Sequence, residues 1–445
     1  MKKLVASAAI AALLGSAAFA GVGLSDAPKL SIGGWGRGVW LTGNGWNGEK
    51  NDKGENDGND IYTSATKSWG GTGPRVGANI SLETDNIGMF AEFHAEEQCW
   101  SDYRIWWSPV EQLKVFLGTN PNHFRGDAVY GMWDIYRTGV VDRSWKYDDC
   151  SSNSINYGSA QQQEEGWTFM SHSCKGAQIL TTPIEELKLV AAFEFPLSKT
   201  GCYWSNDDKA YVTDASSNVK NVFGRQSTFA AAYNIEGIGT VKAGLKEKDI
   251  VTVKDGKEKA QNILNVAFDL TAVENLYLSI GAFVPLVQKT VASSVESNGE
   301  EIGWGNQVNV FAKYNMDALT ISGRIGTIIG TYDAKTNNSE TSGIEATDGA
   351  FGFLVGASVE YKIMDSLSVI GEVDYANGIY ANRSTADNMD VLDFGIAVSK
   401  SYSNGKIVAG FEGTTNNNNA PVSAYHTAKD DDFGWCIPVC FEYWF

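Results

Sequence analysis

The sequence predicts an all-β fold, a closed transmembrane antiparallel β-barrel of about eighteen strands, with sixteen as the alternative count. Three observations predict it. Apolar and polar residues alternate with period two from Leu30 to the last residue, an export leader opens the chain, and tight turns gather at one end of the strands with long polar loops at the other.

The leader comes first. Lys2 and Lys3 precede an apolar stretch from Leu4 to Gly15, and Ala18-Phe19-Ala20 offers the small residues after which a signal peptide is cut. Residues 1–20 are therefore expected to be a signal peptide and residues 21–445 a single barrel domain. The apolar stretch is too short for a membrane anchor, and Gly21, Ser25 and Asp26 follow it in place of a stop-transfer pattern. After the cut, 33 basic residues face 53 acidic ones, a charge of −20. Such an acidic chain, with no basic tract, is not expected to partner nucleic acid, whose phosphates need cations.

Beyond the leader no run of about 18 apolar residues occurs, so no transmembrane helix is expected. Strands are. Val76, Ala78, Ile80 and Leu82 alternate with Gly77, Asn79, Ser81 and Glu83, and after a short turn Met89, Ala91, Phe93 and Ala95 continue the pattern. A five-residue pattern then returns as Pro109–Leu113, Pro183–Leu187, Ala272–Leu276, Asn315–Leu319 and Ile363–Leu367. Each copy is a tight turn whose closing Leu opens an alternating run, for example Leu187, Leu189, Ala191, Phe193. Shorter turns near Asp85, Glu236 and Asn404 bring the tight connections to eight, which with one strand at each terminus gives eighteen strands.

Polar stretches rich in Gly, Asn, Asp and Ser separate these hairpins at 42–73, 120–175, 197–225, 286–304, 330–349, 378–388 and 414–434. Turns toward the periplasm and loops toward the outside is the arrangement of outer-membrane barrels. A soluble sandwich, propeller or β-helix also alternates, but only a closed barrel leaves apolar faces in lipid without unpaired backbone edges.

Alternation also sorts the charges. On the lumen side it places Arg37, Arg75, Arg104, Lys114, Lys188, Lys242, Lys246, Lys313, Arg324 and Lys362. Against them stand Glu83, Glu92, Glu96, Asp102, Glu194, Asp269, Glu360, Glu372, Asp374, Asp393, Glu412 and Glu442. A barrel of sixteen or more strands is too wide for side chains to fill, so this lining faces water.

The last strand alternates Trp435, Ile437, Val439, Phe441, Tyr443 and Phe445 to the final residue. It resembles the terminal strand of outer-membrane barrels, and by that resemblance Phe441, Tyr443 and Phe445 are the signal that the outer-membrane assembly machinery reads. Leader, strands, turns and terminal Phe together resemble the bacterial porin class by architecture. The Gly/Trp-rich opening Ser31–Trp40 resembles surface proteins of spirochaetes, in particular the treponemal major surface proteins. The resemblance implies an outer-membrane diffusion channel for small hydrophilic solutes and ions that is also a surface antigen, in contact with membrane lipid and assembled as a trimer. General porins fold their third loop into the barrel. On that analogy Arg125, Asp127 and Asp134 form one side of a constriction, facing Arg37, Arg75 and Arg104 on the wall, with Glu92 among the lining residues. A loop lying over the mouth is the other reading.

A different function class also fits: a surface adhesin whose loops bind host proteins and whose barrel is an anchor. Arg125-Gly126-Asp127 is an integrin-type tripeptide, though a common one, and means nothing if the loop folds inward. No enzyme, cofactor or metal site is expected. His94, His123, His172 and His426 are far apart, and no nucleophile elbow, zinc-protease helix or phosphate loop occurs. The acidic run Asn51–Asp60 lacks the twelfth-position acid of a calcium loop and reads as solvated surface.

Six cysteines, Cys99, Cys150, Cys174, Cys202, Cys436 and Cys440, fall near the long-loop ends and are disulfide candidates. Cys436 and Cys440 are about 13 Å apart along a strand, beyond the roughly 7 Å that a disulfide spans between Cα atoms. They are not expected to pair with each other. Either each bridges to one of the other four, tethering loops across the mouth, or all six are free thiols.

Overall fold

The computed structural model describes residues 28–46, 52, 59–66, 74–95, 99–124, 168–169, 174–194, 202–205, 210–213, 227–252, 258–291, 301–303, 306–333, 345–377, 391–415 and 433–445. The signal peptide expected at 1–20 lies outside them. The strands begin with β1 (Lys29–Trp46), β2 (Asn59–Thr66), β3 (Arg75–Glu83), β4 (Ile87–His94), β5 (Cys99–Val110), β6 (Leu113–Asn120), β7 (Cys174–Ile184) and β8 (Leu187–Glu194). They continue as β9 (Cys202–Ser205), β10 (Ala210–Thr213), β11 (Thr228–Ile235), β12 (Gly239–Thr252), β13 (Glu258–Leu270), β14 (Leu276–Pro285), β15 (Lys289–Val291) and β16 (Glu301–Gly303). The last are β17 (Asn306–Met316), β18 (Leu319–Asp333), β19 (Glu345–Met364), β20 (Leu367–Asn377), β21 (Val391–Tyr402), β22 (Gly405–Thr415) and β23 (Phe433–Trp444).

Eighteen of these strands close a circle of antiparallel pairs. β1 pairs with β3, each strand with the next through β8, then β8 with β11 and on to β14, β14 with β17 and on to β23. The circle closes where β23 returns to β1, from Trp35 opposite Trp444 to Gly43 opposite Cys436. The short strands lie off the circle. β2 pairs with the loopward half of β1, beyond where β3 leaves it, β9 and β10 form a separate hairpin, and β15 and β16 another that touches the end of β12.

All eight tight connections expected from the sequence are present at one end, after β3, β5, β7, β11, β13, β17, β19 and β21. Two copies of the repeated pattern show why their residue types matter. Asn275 and Asp317 take φ of 62° and 44°, a left-handed backbone that Asn and Asp tolerate better than most residues. The other end is less uniform than the sequence reading has it. Two of its connections are short, 95–98 between β4 and β5 and 253–257 between β12 and β13. The second contains Asp255-Gly256, a hairpin-turn dipeptide, and neither contains the long Gly/Asn-rich run by which the other loops announce themselves.

The two faces of the wall separate as alternation requires. Ile32, Val76, Ile105, Val241, Val266, Ile280, Ile325, Val359, Ile396 and Ile437 are exposed on the outside. Aromatic residues border this apolar belt twice. Trp107, Tyr233, Tyr314, Tyr361, Tyr402 and Tyr443 lie outward at the turn end. Toward the loop end the outward rings pack in pairs, Phe93 with Trp100, Phe193 with Phe229, Phe353 with Tyr375, Phe394 with Phe433 and Phe411 with Trp435. Tyr361 to Phe353, Tyr402 to Phe394 and Tyr443 to Trp435 are each eight residues. At strand rise and a tilt of about 40° that is roughly 20 Å along the barrel axis, close to the apolar band of a membrane barrel. Aromatic side chains with an apolar body and a polar tip suit both edges of such a band.

The seam ends on the last residue. Gly34 N–H donates to Phe445 O at 3.0 Å and Phe445 N–H donates to Gly34 O at 2.9 Å. The Phe445 ring lies against Gly34 so closely that a Cβ there would stand 2.5 Å from it. Each such bond is worth about 0.5–1.5 kcal/mol net in water and more in hydrocarbon, where nothing replaces it. Deleting Phe445 is therefore expected to leave export intact and abolish stable insertion. Membrane fractionation and surface protease accessibility check this, and normal surface exposure of the truncated chain would refute it.

Candidate functional site

Eighteen strands spaced about 4.8 Å apart and tilted about 40° close at a backbone radius of roughly 18 Å, too wide for inward side chains alone to fill. The lumen is therefore the candidate site. Its sequence-predicted residues Arg37, Arg75, Glu92 and Arg104 fall on one sector of the inner wall, β1 and β3 to β5, and the structure joins the first three in one network. Arg37 Nε lies 3.4 Å from Glu442 Oε1 across the seam, and Lys406 Nζ lies 3.7 Å from the other oxygen. The Arg37 and Arg75 guanidinium groups stand 5.1 and 5.8 Å from the Trp35 ring centre. Arg75 Nη2 donates to His94 Nδ1 at 2.9 Å, and His94 Nε2 donates to Glu92 Oε1 at 2.8 Å. Trp35 Nε1 donates to the second Glu92 oxygen at 3.2 Å. Arg104 stands apart, its guanidinium 4.3 Å above the Phe90 ring.

On the opposite sector the chain itself enters the lumen. After β6 the residues Pro121–Phe124 turn inward. Asn120 Nδ2 donates to Gly176 O at 3.1 Å, Gln178 Nε2 donates to Pro121 O at 3.0 Å, and His123 Nε2 donates to Gln178 Oε1 at 2.8 Å. Phe124 is 4% exposed, packed with Phe169 on Val190, Ala192, Ala230, Ala232 and Ala267 of the inner wall. Those alanines leave the volume that the two rings fill. Residues 168 and 169 belong to the far end of the same connection, so both of its ends dock at one place.

Lys242 joins them. Its Nζ donates to Phe124 O at 2.9 Å and lies 2.5 Å from Asp269 Oδ2. Asp269 Oδ1 accepts from Ser279 Oγ at 2.6 Å, and Ser279 Oγ in turn meets Thr168 Oγ1. Asn265 Nδ2 donates to Thr168 O at 3.2 Å. Gly281 makes this contact feasible, because a Cβ there would stand 1.8 Å from Thr168 O. β12 and β13 are the ninth and tenth strands around the circle, so this latch faces the β1 sector bearing Arg37 across the lumen.

Sequence reasoning placed Lys242 and Asp269 on the lumen side but did not pair them, and it did not single out Phe124, Thr168, Phe169, Asn265 or Ser279. Arg125, Asp127 and Asp134 lie outside the described residues, as do Glu96 and Cys150; the side chains of Glu194, Asp374, Asp393, Cys99, Cys174 and Cys202 are likewise outside the description. Cys436 and Cys440 stand as buried thiols on the inner face, with Cys436 Sγ 3.7 Å from Glu412 Oε2. Cys440 is lower on the wall than the sequence reading has it. It is opposite Val408, the fourth residue of β22 from the turn, so it does not sit at a loop end. Among the described residues no three His, Cys, Asp or Glu side chains gather as a metal site would require.

Two outcomes follow from this geometry. Lys242→Met leaves Asp269 buried without its cation, a change that costs about 3–5 kcal/mol where a buried pair is broken. Trypsin cleavage within residues 125–167 of the refolded barrel is expected to quicken about tenfold or more, and Lys242→Met/Asp269→Leu is expected to recover most of the resistance. Equal cleavage rates in wild type and Lys242→Met would refute the latch. His123 is held below its ordinary pKa of 6.5, first by burial and then by the positive charges of Lys114, Lys188 and Arg104, against a raising contribution from its bond to Gln178. The docked state therefore favours the neutral ring. Its contribution is complete above about pH 6.5 and falls as the pH drops below that, because the undocked ring takes up the proton more readily. Cleavage is expected to quicken between pH 7.5 and 5, and His123→Gln to flatten that dependence.

No family model and no curated protein matches the chain. Among solved structures, the anion-selective porin of Comamonas acidovorans aligns over 94% of this chain and 100% of its own at 8% identity and a TM-score of 0.49. OccK11 of Pseudomonas aeruginosa aligns over 93% of this chain and 96% of its own at 9% identity and 0.47. In-vitro folded OmpT of Vibrio cholerae, an outer-membrane protein, aligns over 96% and 100% at 11% identity and 0.43.

Proposed function

We propose that this chain is an outer-membrane channel through which small hydrophilic solutes and ions diffuse. One observation carries the reading: a closed eighteen-strand wall with an apolar outer belt between two aromatic borders and an inner face lined by charge. Lipid suits the first face and water the second. The inward latch narrows such a lumen from one side. It leaves the sector with Arg37, Arg75 and Arg104, whose residues are half-buried, on the remaining path.

Orientation follows from the same reading. The tight turns face the periplasm and the long loops the cell surface, where an abundant channel acts as a surface antigen. The terminal strand, with Phe441, Tyr443 and Phe445 all outward and exposed, is the part offered to the assembly machinery. Trimeric assembly and kinship with spirochaete surface proteins belong to this proposal too, the latter resting on Ser31–Trp40 alone.

Planar-bilayer recording of the refolded protein tests the channel. Discrete conductance steps are expected, with a mild cation preference at low salt, because the lining charges nearly cancel while the loops carry much of the −20 that remains after leader removal. The preference fades as salt shortens the Debye length below the mouth radius. Absence of steps would replace the channel by an anchor for adhesive loops, and strong anion selectivity would refute the account of the charges.

A further inference from the structure

Hydrogen-bond chemistry fixes the state of His94. The Arg75 guanidinium has donors and no acceptor, so the Nδ1 that faces its Nη2 at 2.9 Å is a bare, accepting nitrogen. The ring proton then sits on Nε2, which donates to Glu92 Oε1 at 2.8 Å. His94 is therefore the neutral Nε2–H tautomer, 6% exposed, with the Trp35 ring edge-on at 5.3 Å.

A second proton has one place to enter, Nδ1. There it would turn the acceptor into a donor and set two cations 2.9 Å apart, so an imidazolium and the present position of Arg75 exclude each other. Glu92, on the same strand, favours the imidazolium, and Arg75 on β3 opposes it. Of the charges on neighbouring strands, Arg37 on β1 lies over Trp35 and is held by Glu442 of β23, Asp102 on β5 is opposite Glu92, and Arg104 beyond it stands over Phe90. Gly77, opposite His94 on β3, brings no charge.

Arg75 has one direction in which to leave. Turnward of it the wall is filled, because the Trp35 ring lies on Gly77 so closely that a Cβ there would stand 2.4 Å from it. On β1 the residue directly opposite is Arg37, a like charge. The lumen remains.

We propose that His94 is a proton switch for Arg75: the neutral ring holds the guanidinium on the wall, and proton uptake releases it into the lumen and leaves His94 ion-paired with Glu92. The consequence for transport rests on the channel reading. The wall gains one positive charge and a guanidinium that reaches inward, so cation preference weakens as the pH falls from about 8 to 5, the range in which histidines change charge. Linkage makes the effect reciprocal, since removing Arg75 eases proton uptake by His94.

Nitrogen-15 NMR of the histidine-labelled, refolded full chain in detergent micelles tests the pair whether or not the barrel conducts. The His94 signal is the one missing from His94→Asn. At about pH 8 it is expected to carry a proton on Nε2 alone, and in Arg75→Met Nδ1 is expected to protonate at a proton concentration about tenfold lower than in wild type. A proton on Nδ1 of the wild type at that pH, or equal uptake in Arg75→Met, overturns the switch; the first of these needs no variant to fold. In planar bilayers under a salt gradient, acidification is expected to move the wild-type reversal potential further toward anion permeation than that of His94→Asn, whose Oδ1 accepts from Arg75 but takes no proton. Conductance steps with equal movement in the two would overturn the switch alone. Linked proton uptake in a barrel without steps would overturn the channel reading and leave the switch standing.

Discussion

Backbone hydrogen bonding is the constraint to which the other features answer. In hydrocarbon an unpaired N–H or C=O costs several kcal/mol, so a sheet with an outward apolar face has to have no edge. The β1–β23 ladder removes it, running from Trp35 opposite Trp444 to Gly43 opposite Cys436 and ending in the two bonds between Gly34 and Phe445. With an antiparallel circle the strand number is even and both ends of the barrel chain emerge on the same side as the turns. The final Phe is therefore part of the closure, and Gly34 has no side chain because the Phe445 ring occupies that space.

Closure fixes register, and register fixes faces. On β23 one parity sends Ile437, Val439 and Phe441 outward and the other turns Cys436, Cys440 and Glu442 inward, and the same alternation recurs on the other described barrel strands except where a bulge shifts it, as between Glu247 and Asp249. This is why so much of the fold is legible in the sequence. A period of two survives any uncertainty in strand ends, and the repeated turn pattern marks one end of each hairpin independently. The count of eighteen follows from those turns alone. The aromatic borders were equally open to reading, since Tyr361 and Phe353, Tyr402 and Phe394, and Tyr443 and Trp435 repeat one spacing on one parity. The short β12–β13 connection was missed although Asp255-Gly256 marks it, because loop length was inferred from composition.

The latch is of a different kind. Parity says that Lys242 and Asp269 face inward but not at what height, and height depends on the stagger between strands, which no local pattern encodes. Phe124 and Phe169 are 45 residues apart and meet only because Ala230, Ala232 and Gly281 leave room on strands much later in the chain. Small residues on an inner face read as unremarkable in sequence. Their role appears only when the rings and backbone that fill the space are placed.

Composition hides a second distinction. Ten basic and twelve acidic residues assigned to one interior suggest mutual neutralisation, yet the structure uses them in two ways. Burying Lys242 and Asp269 carries a desolvation cost that their contact and the bonds from Ser279 and to Phe124 O offset, so that pair is committed to holding the chain in place. A cation over an aromatic face is steadied without being neutralised. Trp106 and Phe90, inward on β5 and β4, thus hold Lys114 and Arg104 by their ring faces, where carboxylates hold Arg37, Lys406 and Lys242.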